Sequence, residues 1–317
     1  MNASSLSRLW ILVRREIWES QFAFKWTPLI IAGLNILVTI LILIIGAKVD
    51  NQMAFTVDGI RMYAEMDDQK QREIASGTLF STGSLFHFVM LLVVVFYLAG
   101  SLYDDRRDRS ILFWKSLPVS DRMTVLSKIL TAMVAAPVIY LGGIALTQLV
   151  LLLIASGYGL VAGINIFTEI WLPANLPKVW LVTLLGSLAQ SLWLLPIFGW
   201  LMLCSSFAPR LPILIAVAVP ALIGIFQHFW SFFSNFQLPD FNLGLIILQR
   251  LFRGILPMSI DVEGMQSGEP ENITADALLS LKSIGSIVFS LEMWIGVAVG
   301  LIFLAAAVWF RRRATDS

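Results

Sequence analysis

The sequence has few charged residues and almost no cysteine. Only 14% of its 317 residues are Asp, Glu, Lys or Arg, whereas 58% are hydrophobic. Soluble domains are about a quarter charged, so this chain has too little polar surface to cover a water-exposed globule. The composition excludes an ordinary soluble domain and predicts a protein embedded in lipid. The single cysteine, Cys204, excludes a disulfide within the chain and a metal site built from cysteines.

Sequence signatures of catalysis are also lacking. No G-x-x-x-x-G-K-[ST] phosphate loop occurs, so the chain cannot cradle ATP by that means. It has no H-E-x-x-H motif and no cluster of histidine and cysteine. Its two histidines, His87 and His228, fall near the predicted outer ends of membrane spans, where we expect them at the interface. A net charge of +1 gives no indication of a nucleic-acid partner. We predict no catalytic residue, metal or cofactor in this chain.

What the sequence does contain is a series of long apolar runs. They predict an all-α, polytopic membrane protein that forms a single transmembrane domain over residues 1–317. The first run is long for a signal peptide and lacks a clear cleavage site, so we expect it to span the membrane. Residues 1–27 place apolar side chains at helical spacing among charges, which predicts an amphipathic surface helix; a soluble lead-in helix is the alternative. The six predicted spans cover about 28–48, 84–103, 128–155, 178–204, 211–232 and 290–310.

The distribution of Lys and Arg predicts the orientation of these spans. Fourteen of them fall on the side that holds both termini, and eight fall on the other side, spread over longer loops. Because positive charge is retained in the cytoplasm, the first side is predicted to be cytoplasmic. We expect a multi-pass protein of the bacterial inner membrane with both termini in the cytoplasm.

The predicted spans contain almost no ionisable residue. The polar residues within the spans are uncharged amides such as Asn35, Gln148, Gln190 and Gln227. Transporters driven by protons or ions need an ionisable group at membrane depth, because a titrating or coordinating charge couples the two fluxes. This absence disfavours a secondary transporter and indicates that any transport cycle takes its energy from another polypeptide.

Two segments on the predicted outer side have sequence patterns that predict specific structures. Residues 243–256 are apolar except for Arg250 and Arg253 and are too short to span, so they predict an interfacial or re-entrant helix. The outer end of the fifth span places six Phe or Trp residues within 226–236. An aromatic belt at the headgroup level is one interpretation. The other is the wall of a path for an amphipathic substrate, formed by Phe226, Gln227, Phe229, Trp230 and Phe233.

The cytoplasmic segment between the second and third spans is the most specific part of the sequence. A charged run at 104–109 is followed by Ile111, Leu112, Phe113 and Trp114, and Pro118 ends the segment. About two helical turns are predicted here, too few to bury four large apolar side chains against themselves. These side chains either enter the lipid interface or insert into a partner protein.

At this segment the sequence resembles the permease subunits of type-2 ABC exporters. Asp105 and Asp108 match the acidic positions of that family, residues 116–120 match its Leu-Pro-Val-Ser stretch, and Lys128 matches the lysine that opens the third span. Two positions depart from the pattern. Ser110 replaces the usual threonine, and Arg109 stands where glycine is usual, so the start of the short helix can differ.

The resemblance implies a function and a set of partners. It implies an exporter subunit that is not itself an enzyme and moves a substrate out of the cytoplasm or inner leaflet. The aromatic residues within 226–236, read as a path, make a hydrophobic or amphipathic substrate our expectation. ATP and Mg would be bound by two copies of a separate ATP-hydrolysing subunit. A second copy of the chain would complete a homodimer, with the first and fifth spans at the seam and lipid around it. The implied coupling residues are Asp105, Asp108, Ser110, Ile111, Leu112, Phe113, Trp114, Leu117 and Pro118.

Two other functions fit the sequence. One is a secondary transporter or channel that acts alone, and the other is a membrane scaffold or sensor that transports nothing. Exporters of drugs, lipids, peptides and polysaccharides share the same layout, so the resemblance names no substrate.

Overall fold

The computed structural model describes residues 3–49, 53–108, 119–234, 243–254 and 281–313. All regular structure in these ranges is helical. The α-helices in chain order are α1 (Ala3–Glu19), α2 (Thr27–Val49), α3 (Met53–Ala64), α4 (Asp68–Arg107), α5 (Asp121–Leu130), α6 (Ala136–Ala162), α7 (Leu172–Ala174), α8 (Leu176–Trp193), α9 (Leu195–Phe207), α10 (Pro212–Ser234), α11 (Leu243–Arg253), α12 (Leu281–Val288) and α13 (Leu291–Arg313). Wider π-helical turns lie at Phe22–Trp26, Thr131–Ala135 and Phe167–Trp171.

Several of these helices can cross a membrane. Four are long and apolar enough: Phe22–Ile45, Asp68–Arg107, Asp121–Ala162 and Leu291–Arg313. A fifth is the bent pair formed by α8 with its preceding turn and α9, and Pro212–Gln227 is a shorter apolar helix. The protein is therefore an all-helical, membrane-embedded chain with four or five candidate spans. The six predicted spans fall on these same helices, but the fourth is bent and the described apolar part of the fifth is short.

Two helices extend beyond the predicted spans. The second predicted span began at residue 84, whereas α4 starts at Asp68, where the side chain of Asp67 caps it by accepting from the Lys70 amide. Helices α5 and α6 form one 42-residue helix. Ser120 caps its start by accepting from the Met123 amide. A π-helical turn then precedes Pro137, which cannot donate to the preceding turn.

The fourth predicted span is broken in the structure. Helices α8 and α9 meet at Leu194 with a bend of 55°. Pro196 follows immediately and lacks the backbone donor that would continue the helix. A side chain stabilises the break, because Arg250 Nε of α11 donates to the Trp193 carbonyl at 2.8 Å. Its guanidinium also lies over the Trp193 ring, 4.4 Å from the centroid.

Helices α9 and α13 pack with their backbones in direct contact. A Cβ atom added to Gly199 would lie 2.7 Å from the Gly300 carbonyl oxygen, and one added to Gly300 would lie 2.8 Å from the Leu195 carbonyl. The two backbones therefore touch, as small residues allow between membrane helices. Gly296, one turn before Gly300, leaves the space that the Arg250 guanidinium occupies. The last helix is thus fixed against α9 and α11.

Candidate functional site

A cluster of buried charges joins four helices at one end of the molecule. Lys128 Nζ lies 3.1 Å from Glu16 Oε2 and 3.6 Å from Asp105 Oδ1. Arg311 Nη1 lies 2.8 Å from Asp105 Oδ2, and its Nε lies 3.3 Å from Asp121 Oδ1. We call these five residues the ion cluster. It connects α1, α4, the α5–α6 helix and α13.

Three charged members of the ion cluster lie on buried helix faces. In α1 the buried face is formed by Leu9, Leu12, Val13 and Glu16. Asp105 lies one turn after buried Leu102 and two turns after buried Leu98 on α4, and Arg311 follows buried Ala307 by four residues on α13. Helical spacing thus directs these charges inward along with the apolar side chains that precede them.

Burial is nearly complete for three members. Glu16, Lys128 and Arg311 are only 2%, 3% and 3% exposed. A charge removed from water is costly unless it is paired and hydrogen-bonded. Two further groups meet that need at Glu16: the Tyr97 hydroxyl donates to Oε2 at 2.9 Å, and Arg15 Nη2 donates to Oε1 at 2.9 Å. Each of the three carboxylates of the ion cluster therefore has at least one cation within ion-pair distance.

The ion cluster connects the two chain ends that flank residues 109–118. Asp105 precedes this segment and Asp121 follows it, and one guanidinium, that of Arg311, hydrogen-bonds to Asp105 and forms an ion pair with Asp121. Arg106 adds a second connection, because its Nη2 donates at 2.9 Å to the carbonyls of Ser205 and Ala208 at the end of α9. Movement at either end of the segment would therefore reach α1, α9 and α13.

The predicted coupling residues are distributed unequally. Asp105, which was predicted to take part in coupling, has a buried carboxylate that pairs with Lys128 and Arg311. Asp108 is exposed at the point where α4 ends. Outside the described residues are Ser110, Ile111, Leu112, Phe113, Trp114, Leu117 and Pro118. Their role in coupling stays a prediction.

A groove lies beside the ion cluster between α1, the π-helical turn after it, and α4. Its volume is about 740 Å³. Glu16, Asp105 and Lys128 form part of its floor, and the exposed rings of Phe22 and Phe96 stand on opposite walls. The groove is large enough for a ligand of drug size.

The predicted substrate path lies elsewhere, on α10. Phe226 and Phe229 are 63% and 61% exposed, and Gln227 is half-buried. The side chains of Trp230 and Phe233 fall outside the described residues. Helix α11 packs on α10, where a Cβ atom on Gly224 would lie 3.6 Å from the Gly244 Cα. Exposed rings fit both the aromatic belt and the path, so this choice stays open.

One histidine differs from its prediction. His87 was expected at the membrane interface, whereas it is 3% exposed. Its Nδ1 lies 2.9 Å from the Gly83 carbonyl oxygen, and its Nε2 lies 2.8 Å from the Ser187 hydroxyl, which joins α4 to α8. Nearby, Gln148 Nε2 donates to the Leu79 carbonyl and its Oε1 accepts from the Trp180 indole. Gln148 and His87 therefore link neighbouring helices through side-chain hydrogen bonds in the core.

Sequence reasoning missed the ion cluster. It placed Asp105, Lys128 and Arg311 at the water-facing ends of spans, where charge is ordinary. One signal was present, because Glu16 follows Leu9 and Val13 on the apolar face of α1. An acid on such a face indicates a buried partner cation, but the sequence does not say which one.

Comparisons of the chain with protein-family models, curated proteins and solved structures find no match. The likeness to exporter permeases therefore depends on residues 104–128 and on the layout of the chain. Among the described residues no group of three or more His, Cys, Asp or Glu side chains could hold a metal ion.

Proposed function

We propose that the chain is the membrane subunit of an ATP-binding-cassette exporter of the bacterial inner membrane. It takes energy from a separate ATP-hydrolysing subunit and moves a hydrophobic or amphipathic substrate outward. Two copies of the chain, each with six spans and cytoplasmic termini, pair with two copies of that subunit. The segment of residues 109–118 receives the force.

The observation that carries this proposal is the connection of both ends of residues 109–118 to Arg311. A segment that receives force must transmit its displacement to the spans. If its ends were not bonded to other helices, the segment could move without moving the spans. Here Asp105 and Asp121 are bonded through one buried guanidinium, and Lys128 extends the connection to Glu16 of α1. A displacement of the segment therefore moves α1, α4, α5 and α13 together.

The ion cluster also favours a second candidate. Glu16, Asp105 and Lys128 are buried ionisable groups, and such groups mark proton and ion pathways in secondary transporters. Their position at the ends of the predicted spans, rather than at mid-membrane, favours the exporter. A transporter that acts alone is the alternative.

Two measurements separate these functions without knowledge of the substrate. The tagged chain is purified from its own membranes and assayed for ATP hydrolysis, and the chain alone is placed in vesicles with an imposed pH gradient. The exporter predicts ATP hydrolysis in the assembly and no faster decay of the gradient than in empty vesicles. Rapid decay of the gradient, abolished by Glu16→Gln, together with absence of ATP hydrolysis, would contradict it.

A further inference from the structure

The groove beside the ion cluster changes from apolar to acidic along one face of α4. Leu92, Phe96, Asp104 and Asp108 all line it and follow one another at multiples of four residues, so they share a helix face. Leu92 and Phe96 are 42% and 63% exposed. Asp104 and Asp108 are also exposed. The change falls at the predicted cytoplasmic end of the span, where the membrane changes from hydrocarbon to water.

Gly100 gives the Asp104 carboxylate room on this face. It stands between the apolar and acidic pairs, and a Cβ atom added there would lie 2.8 Å from Asp104 Oδ2, so the carboxylate lies over the glycine. Across the groove, the ring of Phe22 is 81% exposed. The groove therefore has exposed aromatic rings from two elements and an acidic end that begins at Asp104.

The two aspartates at the acidic end have no ion-pair partner among the described residues. Lys128 is the one cation of the lining in the described ranges, and it is already bonded to Glu16 and Asp105. Neither Asp104 nor Asp108 forms an ion pair with a residue in the described ranges. Arg107 interacts with Asp104 at longer range, but it is exposed and does not line the groove. Two carboxylates thus line the groove and are open to a cationic ligand.

We propose that this groove binds a cationic amphipathic molecule, with its apolar part against Leu92, Phe96 and Phe22 and its cation beside Asp104 and Asp108. The proposal rests on the proposed export function, whose substrate class it narrows. A volume of about 740 Å³ accommodates such a molecule. Its charge complements the two carboxylates, whereas an anionic headgroup would meet like charge and be repelled.

The test compares two probes of matched size and opposite charge. Tetraphenylphosphonium and tetraphenylborate are titrated into the purified full-length chain in a neutral detergent, and binding is measured by equilibrium dialysis. We expect tetraphenylphosphonium to bind at least tenfold more tightly. The Asp104→Asn/Asp108→Asn variant should lose about tenfold in affinity for the cation, because two exposed charge contacts contribute roughly this much. Glu65→Gln/Asp68→Asn removes the same charge from exposed positions on the outer part of the chain and should bind like the original.

A second variant tests the apolar wall rather than the charge. Leu92→Ala/Phe96→Ala removes two exposed apolar side chains of the groove and keeps both carboxylates, so it should also weaken binding of the cation at least tenfold. Equal affinity for both probes, or unchanged binding in both groove variants, would overturn the proposal. So would a second copy of the chain in the groove, seen as a disulfide between two chains carrying Phe96→Cys in a Cys204→Ser background.

This binding measurement uses the chain alone, so its outcome is independent of the outcome of the test of export. Binding of the cation without ATP hydrolysis in the purified assembly would leave the groove assigned and refute the exporter. ATP hydrolysis in an assembly that binds the two probes equally would support the exporter and refute the assignment of the groove.

Discussion

Replacement of Lys128 by methionine tests whether the ion cluster is buried and paired. Lys128 is 3% exposed and is the cation between Glu16 and Asp105. Its loss leaves two carboxylates short of a partner inside the protein. Removing one member of a buried pair costs about 3–5 kcal/mol. Glu16 keeps Arg15 and Tyr97, and Asp105 keeps Arg311, so we expect a loss near the lower end, about 3 kcal/mol.

The free energy of unfolding is measured by titrating SDS into the chain in mixed micelles. Lys70→Met is the matched control, because Lys70 is exposed near the start of α4 and its loss should change the free energy by less than about 0.5 kcal/mol. The double variant Glu16→Gln/Lys128→Met should be more stable than Lys128→Met alone. It removes both charges of the pair, and residues in one network do not have additive effects.

Equal free energies of unfolding for Lys128→Met and Lys70→Met would refute this reasoning. They would show that the Lys128 ammonium is hydrated and that α1 is not held through it. Additive losses in the double variant would also contradict a direct Glu16–Lys128 pair.

Three further predictions concern packing, orientation and the substrate path. Gly300→Leu forces α13 away from the Leu195 carbonyl and should lower the free energy of unfolding by about 1–3 kcal/mol. Gly142→Leu, at a site where an added Cβ meets nothing within 4 Å, should be tolerated, and equal losses would contradict the close contact. In a Cys204→Ser background, cysteines at Ser110 and Thr315 should resist an impermeant thiol reagent in intact cells while one at Asp67 reacts; labelling at Ser110 would reverse the orientation. Phe229→Ala with Phe233→Ala should alter substrate-stimulated ATP hydrolysis and leave basal hydrolysis intact, whereas unaltered stimulation would assign these rings to the aromatic belt.

The helical, membrane-embedded fold was predictable because lipid imposes a simple rule on sequence. Apolar runs of about 20 residues become helices, since every backbone group must be satisfied within the segment. The run at 28–48 falls inside the candidate span Phe22–Ile45 except for its last three residues, and the run at 290–310 falls inside Leu291–Arg313 except for its first residue. The fourth run, 178–204, became two helices with a 55° break, because Pro196 cannot supply the backbone donor that would continue the helix.

The ion cluster was not predictable because its pairs are distant in sequence. Glu16 and Lys128 are 112 residues apart, and Asp105 and Arg311 are 206 apart. Charges at the ends of spans are ordinary, and only the packing of α1 and α13 against α4 and α5 removes them from water. Likewise, the spacing of Leu92, Phe96, Asp104 and Asp108 is visible in the sequence and places them on one face of α4. The sequence does not show that Phe22 lies on the opposite wall, because that depends on how α1 packs in three dimensions.

Co-purification tests the central claim most directly, namely that residues 109–118 connect the chain to a separate ATP-hydrolysing subunit. The tagged chain is purified from its own membranes as the original and as Phe113→Ala and Trp114→Ala, with Phe167→Ala as a control for an exposed ring in the predicted outer segment. Large aromatic side chains dominate interfaces, and losing one costs about 2 kcal/mol or more. We predict a protein with a phosphate loop in the original and in Phe167→Ala, and at least tenfold less of it in the other two at equal expression. No such protein in any sample, or equal amounts in all four, would contradict the account.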